Sequence, residues 1–118
     1  MLPVRRPSSA VVTALVPAWQ AADFIQPTLD SLSAQTHPSL RVIVSIDVCD
    51  DDTRGVCEAH ARRDPRFRVV QQAQRLGFVG NSNALLDLVD SEYALFVYHD
   101  DLLAPTCVER LVEVLEAR

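Results

Sequence analysis

Residues 93–98 read Tyr, Ala, Leu, Phe, Val, Tyr and then stop at His99, Asp100 and Asp101. An apolar run without alternation predicts a strand buried on both faces, as in a parallel sheet covered by helices. That element is demanding for a short chain, because each face of the sheet needs its own covering layer. Ligands of open α/β sheets bind beyond the carboxyl ends of the strands, so the adjacent carboxylates Asp100 and Asp101 stand where chemistry is expected. A hard divalent cation, which prefers oxygen ligands, is one reading of the pair. The other is that one Asp caps the following helix while its neighbour is solvated.

The rest of the chain supplies the covering layers. Residues 11–16 form an apolar, partly β-branched run closed by Pro17, a first buried strand. After a loop of Pro17, Ala18, Trp19 and Gln20 comes a helix that Asp23 can cap, with an inward stripe of Ile25, Leu29 and Leu32. It ends near Thr36, because Pro38 disfavours helical geometry at His37. Residues 40–46 are a second strand that runs into Asp47, Asp50, Asp51 and Asp52. A helix over 53–63 buries Val56, Cys57 and Ala61 and is stopped by Asp64 and Pro65; residues 67–71 are a short third strand. Gly77 and Gly80 open a helix that runs to about residue 90, with Ala84, Leu85, Leu88 and Val89 facing inward. A last helix begins at Pro105 and turns Val108, Leu111, Val112 and Leu115 inward. Four βα units in succession predict a parallel sheet with right-handed crossovers and helices on both faces. Residues 1–10, with Pro3, Pro7 and two serines, read as a flexible lead-in to one domain over 11–118.

Composition narrows the function. All 11 basic residues are Arg. Without Lys, P-loop nucleotide hydrolysis, Schiff-base chemistry and two-component phosphoacceptor domains are excluded. A net charge of −5 gives no footprint for nucleic acid or for an anionic membrane. No apolar run reaches membrane-spanning length and no secretory signal is legible, so a cytoplasmic location is expected. Cys49, Cys57 and Cys107 show no metal-site spacing and read as reduced thiols.

Several side chains at the strand ends are candidates for binding. Four Asp within six positions after the second strand exceed what one helix cap needs; Asp51 or Asp52 suffices for that. Asp47, first past the strand, is placed to accept from a nucleobase or a ribose hydroxyl. The loop 75–83 combines Arg75, two glycines, Asn81 and Asn83 at a helix amino terminus, a setting that suits a phosphate or base. His99 reads as a ligand, a phosphate donor or a satisfied strand-end histidine. Trp19 either stacks on a base or covers the core, and the second is favoured. His37 and His60 read as surface or helix-end residues. If Asp47, Asp100 and Asp101 share one crevice, a diphosphate is repelled there by roughly 1 kcal/mol per charge at 4 Å in water, and about 4 at an effective dielectric of 20. A bound dication reverses the sign.

These pieces, in this order, resemble the amino-terminal half of a family 2 glycosyltransferase of the GT-A fold. The family commonly shows Pro-Ala-Tyr-Asn after the first strand, matched by Pro17, Ala18, Trp19 and Gln20. Its helix reading like Thr-Leu-Asp-Ser-Leu-x-Ala-Gln-Thr is matched by residues 28–36, TLDSLSAQT. Its Asp-Asp-Gly-Ser-x-Asp-x-Thr corresponds to Ile46 through Thr53, and its Asp-x-Asp-Asp to Tyr98, His99, Asp100 and Asp101. The resemblance implies a Rossmann-like sheet of order 3-2-1-4, a partial GT-A fold. It also implies a hexosyltransferase-type enzyme that moves a sugar from a UDP or GDP donor to a carbohydrate or other acceptor hydroxyl, with Mg²⁺ or Mn²⁺ neutralising the diphosphate. By position, Pro17 to Gln20 line the nucleotide pocket, Asp47 contacts the base, Arg75 and Asn83 lie along the nucleotide, and Asp100 with Asp101 holds the metal. The family's acceptor site and catalytic base belong to a second half, so a fragment without transferase activity of its own is expected. In that order the strand over 93–98 becomes a sheet edge, through which two copies are expected to associate. Tyr98 and Ile46 replace the family's leading acids, and Val48 and Cys49 its Gly-Ser. These departures support the alternative, a non-catalytic nucleotide-binding or protein-interaction module on the same fold.

Overall fold

The computed structural model describes residues 8–117. Four strands, β1 (Val12–Ala18), β2 (Leu40–Ile46), β3 (Phe67–Gln71) and β4 (Tyr93–Phe96), alternate with helices α1 (Ile25–Ser33), α2 (Thr53–Arg63), α3 (Gly77–Leu86) and α4 (Cys107–Glu116). All strand pairs are parallel and the order is β3-β2-β1-β4, as the resemblance implied. The reversal of order falls between β1 and β4, and a sheet of this kind opens its ligand crevice at that switch point.

Alternation along β1 divides the core in two. Val12, Ala14, Val16 and Ala18 join a large cluster with Ile25, Leu29 and Leu32 of α1, Cys57 of α2, and Val108 and Val112 of α4. Leu15 points to the opposite face and meets Ile43 and Leu85, the latter from α3. Three helices therefore cover one face and α3 the other. Every residue of β1 is buried, Pro17 included. Odd-numbered β1 residues face β4, where the Val97 N–H donates to the Leu15 carbonyl at 2.9 Å. The next bond of that ladder would need the N–H that Pro17 lacks, so pairing with β4 ends at Leu15, while β1 continues along β2 to Ala18.

Several expectations are corrected. β4 ends at Phe96 and is not buried on both faces: Ala94 is exposed, Tyr93, Leu95 and Phe96 are half-buried, and only Val97 beyond the strand is buried. Apolar composition does not supply neighbours, and β4 is an edge. Asp23 makes no cap; the first free N–H groups of Phe24 and Ile25 donate to the Ala21 carbonyl instead. Helix α1 stops at Ser33, and the Thr36 N–H leaves helical pairing to donate to the Pro105 carbonyl at 2.9 Å. Helix α3 stops at Leu86, with Leu88 and Val89 still packed on the smaller cluster. Helix α4 starts at Cys107 rather than Pro105, and Leu111 and Leu115 of its expected inward stripe are exposed.

Neither His37 nor His60 is a surface residue. His37 Nε2 donates to the Ala10 carbonyl at 2.7 Å. His60 accepts from Gln26 at Nδ1, donates from Nε2 to the Ser33 hydroxyl, and stands edge-on to Phe67. Burial lowers its pKa, which keeps it neutral between α1 and α2. Of the expected flexible lead-in, residues 1–7 lie outside the described residues. Ser8 to Ala10 are held, by the Ser8 hydroxyl bond to Glu116 and by burial of Ala10 under His37. Among the described residues no helix is long and apolar enough to cross a membrane.

Candidate functional site

A cleft of about 360 Å³ opens at the switch point, beyond the carboxyl ends of β1, β2 and β4. Pro17, Ala18 and Trp19 form one wall, Tyr98 and His99 another, and Asp47, Arg75, Gly77, Phe78 and Asn81 close it. Eight of the residues singled out in the sequence thus meet here: Pro17, Ala18, Trp19, Asp47, Arg75, Gly77, Asn81 and His99. Gln20, Asn83, Asp100 and Asp101 do not line it.

Asp47 is 2% exposed and its carboxylate is fully engaged. Oδ1 accepts from the N–H groups of Val48 and Leu76, and Oδ2 from that of Gly77, each at 2.9 Å. Arg75 Nε completes the set at 3.1 Å from Oδ2. Burial alone would raise the pKa of this acid; the three N–H groups and the Arg75 charge outweigh it and hold it below the usual range. Gly77 enters α3 with φ +75°, a left-handed geometry that a Cβ would strain. The anion at this helix amino terminus is therefore Asp47 itself, and the donors expected to cradle a phosphate are already spent on it.

Trp19 is corrected from core to cleft: it is 43% exposed, and the Arg75 guanidinium carbon lies 4.4 Å from its ring centroid. Gln20, at φ +48°, does not line the cleft. It donates to Asp50 Oδ1 at 2.6 Å and accepts from the Asp50 N–H at 2.8 Å. Asp51 rather than Asp52 caps locally, accepting from the N–H and hydroxyl of Thr53 and from the Ala22 N–H. Burial opposes its ionisation, yet these bonds lower its pKa.

Helical phase explains the two asparagines. Asn81 is buried, accepts from the Ser45 hydroxyl at 2.6 Å and donates to the Ser45 carbonyl at 2.9 Å. Asn83, two positions on, turns about 200° around the helix and is exposed. Phe78 and Tyr98 were not singled out as binding residues, yet their rings pair at 5.7 Å on the cleft wall. The available signal was an aromatic at each end of loops already suspected.

The loop after β4 is left open. His99 Nδ1 accepts from the Trp19 N–H at 3.2 Å, which leaves the proton of a neutral ring on Nε2. Asp101 Oδ2 accepts from the Tyr98 N–H at 3.0 Å. Asp100 is exposed and has no hydrogen-bond partner among the described residues. Among those residues, no three His, Cys, Asp or Glu side chains gather into a metal cage. The donor set fits instead a cation held by one or two carboxylates and completed by its ligand's phosphates, the usual Mg²⁺ arrangement. The three cysteines are free, and burial raises the Cys57 thiol pKa to about 12.

The sequence model of glycosyl transferase family 2 matches residues 13–118. The glycosyltransferase EpsJ of Bacillus subtilis is 31% identical over 106 residues, covering 90% of this chain and 30% of its own. Among solved structures, the mannosyltransferase PcManGT of Pyrobaculum calidifontis, in complex with GDP-Man and Mn²⁺, superposes with a TM-score of 0.84. It is 25% identical, over 90% of this chain and 32% of its own. S. aureus TarS 1-349 in complex with UDP superposes with a TM-score of 0.83 at 24% identity, over 91% of this chain and 32% of its own, and supports the fold alone. The chain spans about a third of the length of each of these proteins. The sheet order and helix placement are those of GT-A enzymes.

Proposed function

The chain belongs to glycosyl transferase family 2, and from that premise we propose that residues 11–118 form the donor-binding half of a transferase that moves a sugar from a UDP- or GDP-type nucleotide to an acceptor hydroxyl. The observation that carries the reading is the switch-point cleft, where an aromatic face, a guanidinium and the His99 Nε2–H converge on a space of nucleoside size. Pro17, Ala18 and Trp19 border the base, and His99 donates to a phosphate. Asp100, with the free oxygen of Asp101, holds Mg²⁺ or Mn²⁺; that ion offsets diphosphate charge when bound. Before a ligand arrives Asp47 is paired with Arg75, so the open charge that calls for it lies on Asp100 and Asp101. Since the chain covers a third of its relatives' length, acceptor binding and the catalytic base are assigned to residues outside it, and no sugar transfer is expected from these 118 residues. A cytoplasmic setting suits its free thiols.

The test is calorimetric titration of UDP and then GDP, with and without Mn²⁺, into the chain and into Asp100→Ala. Metal-dependent binding that the variant loses supports the reading. Metal-independent binding of equal strength in both favours the non-catalytic module, to which Tyr98 in place of an acid also points. Self-association is proposed through the β4 edge, where an apolar groove of about 260 Å³ lies between Tyr93–Leu95 and Leu111–Leu115. A monomer at high concentration in sedimentation would remove that proposal.

A further inference from the structure

Trp19 is the single tryptophan of the chain and stands at the mouth of the cleft. One face of its ring is already covered. The Arg75 guanidinium carbon lies 4.4 Å from the ring centroid, and the same group bonds through Nε to Asp47 at 3.1 Å. A guanidinium over the indole at that distance fills the slot that a planar nucleobase stacking on the same face would need. We infer that Arg75 is a resident plug of the base subsite, expelled by any base that stacks on Trp19.

The surroundings allow the plug to leave without unfolding anything. The Arg75 side chain is 54% exposed. The backbone beside it stays fixed, because the Leu76 and Gly77 N–H groups are held by Asp47 whether or not the guanidinium is present. Its departure breaks one cation–π contact and one ion pair at the cleft mouth and returns one acceptor position to Asp47. Arg75 in this role opposes nucleotide binding, whereas an Arg that grips the nucleotide favours it. The two roles differ in the sign of one measurement.

The inference rests on the donor-site reading, and its test separates the two. UDP and GDP are titrated with Mn²⁺ into the 118-residue chain, Arg75→Ala and Arg75→Lys, following Trp19 emission and heat. Arg75→Ala is expected to bind about fivefold more tightly, the equivalent of the ~1 kcal/mol that an exposed cation–π contact supplies. Arg75→Lys falls between, since an ammonium keeps the charge but not the planar stack. Binding by the Ala variant where the parent shows none also supports the plug. Equal or weaker binding by Arg75→Ala overturns it and leaves the donor site standing. Binding by none of the three removes the donor site and the plug together. Should Arg75→Ala lose its fold by circular dichroism, the Lys variant decides by the same sign.

Discussion

Two acidic loops leave the same edge of the sheet and are put to opposite uses. In the loop after β2, Asp47 and Asp51 each accept at least three hydrogen bonds, half of them from backbone N–H groups of other segments. In the loop after β4, Asp100 has no partner among the described residues and Asp101 spends one oxygen on Tyr98. Acid density alone would rank the first loop as the binding site. Partnering ranks it as scaffold and the second as the place where charge remains available. A carboxylate is open to a ligand only where the fold has not already used it.

This contrast predicts a graded series. Asp47→Ala orphans the N–H groups of Val48, Leu76 and Gly77 in a buried setting, and a loss of about 3 kcal/mol is expected in urea unfolding. A loss under about 1 kcal/mol would make the first loop no more structural than the second. Asp51→Ala is expected to cost about 1 kcal/mol, the scale of a helix cap. Acid gives a partial version of both. The folded pKa values of Asp47 and Asp51 are lowered, so their contribution is complete above the unfolded value of about 3.9 and is lost as pH falls through the folded pKa. Asp64, held low first of all by its bond from Arg66, adds to the same loss. The urea midpoint should therefore drop as pH falls below about 4, and less so in Asp47→Ala; an unchanged slope in that variant would sink the assignment. Asp100→Ala is expected to change stability by less than about 0.5 kcal/mol while removing metal-dependent nucleotide binding. A stability cost like that of Asp51→Ala would mean that the second loop, too, is scaffold.

Much of the framework was legible in the residues. The β-branched stretches Val42-Ile43-Val44 and Val69-Val70 marked β2 and β3, and Asp64-Pro65 ended α2 where expected. What stayed hidden depended on distant partners. Trp19 reads as core until Arg75 is known to cover it, 56 positions later in the chain. His60 reads as surface until Gln26, Ser33 and Phe67 close around it. Asp47 was legible as a site residue by its place past the strand, but its saturation by the α3 amino terminus was not, because backbone donors carry no sequence signature. Asn81 and Asn83 are alike in composition, and a shift of two positions in helical phase decides which one reaches the sheet.

The reciprocal bonds of Gln20 with Asp50, joined by those from the Ala21 and Ala22 N–H groups to Thr53 and Asp51, fuse the loops after β1 and β2 into one body. Most of the rim beside Trp19 has therefore lost its freedom before any ligand arrives. Association at this edge should freeze few additional rotors, and its entropic penalty should fall chiefly on the unpaired Asp100.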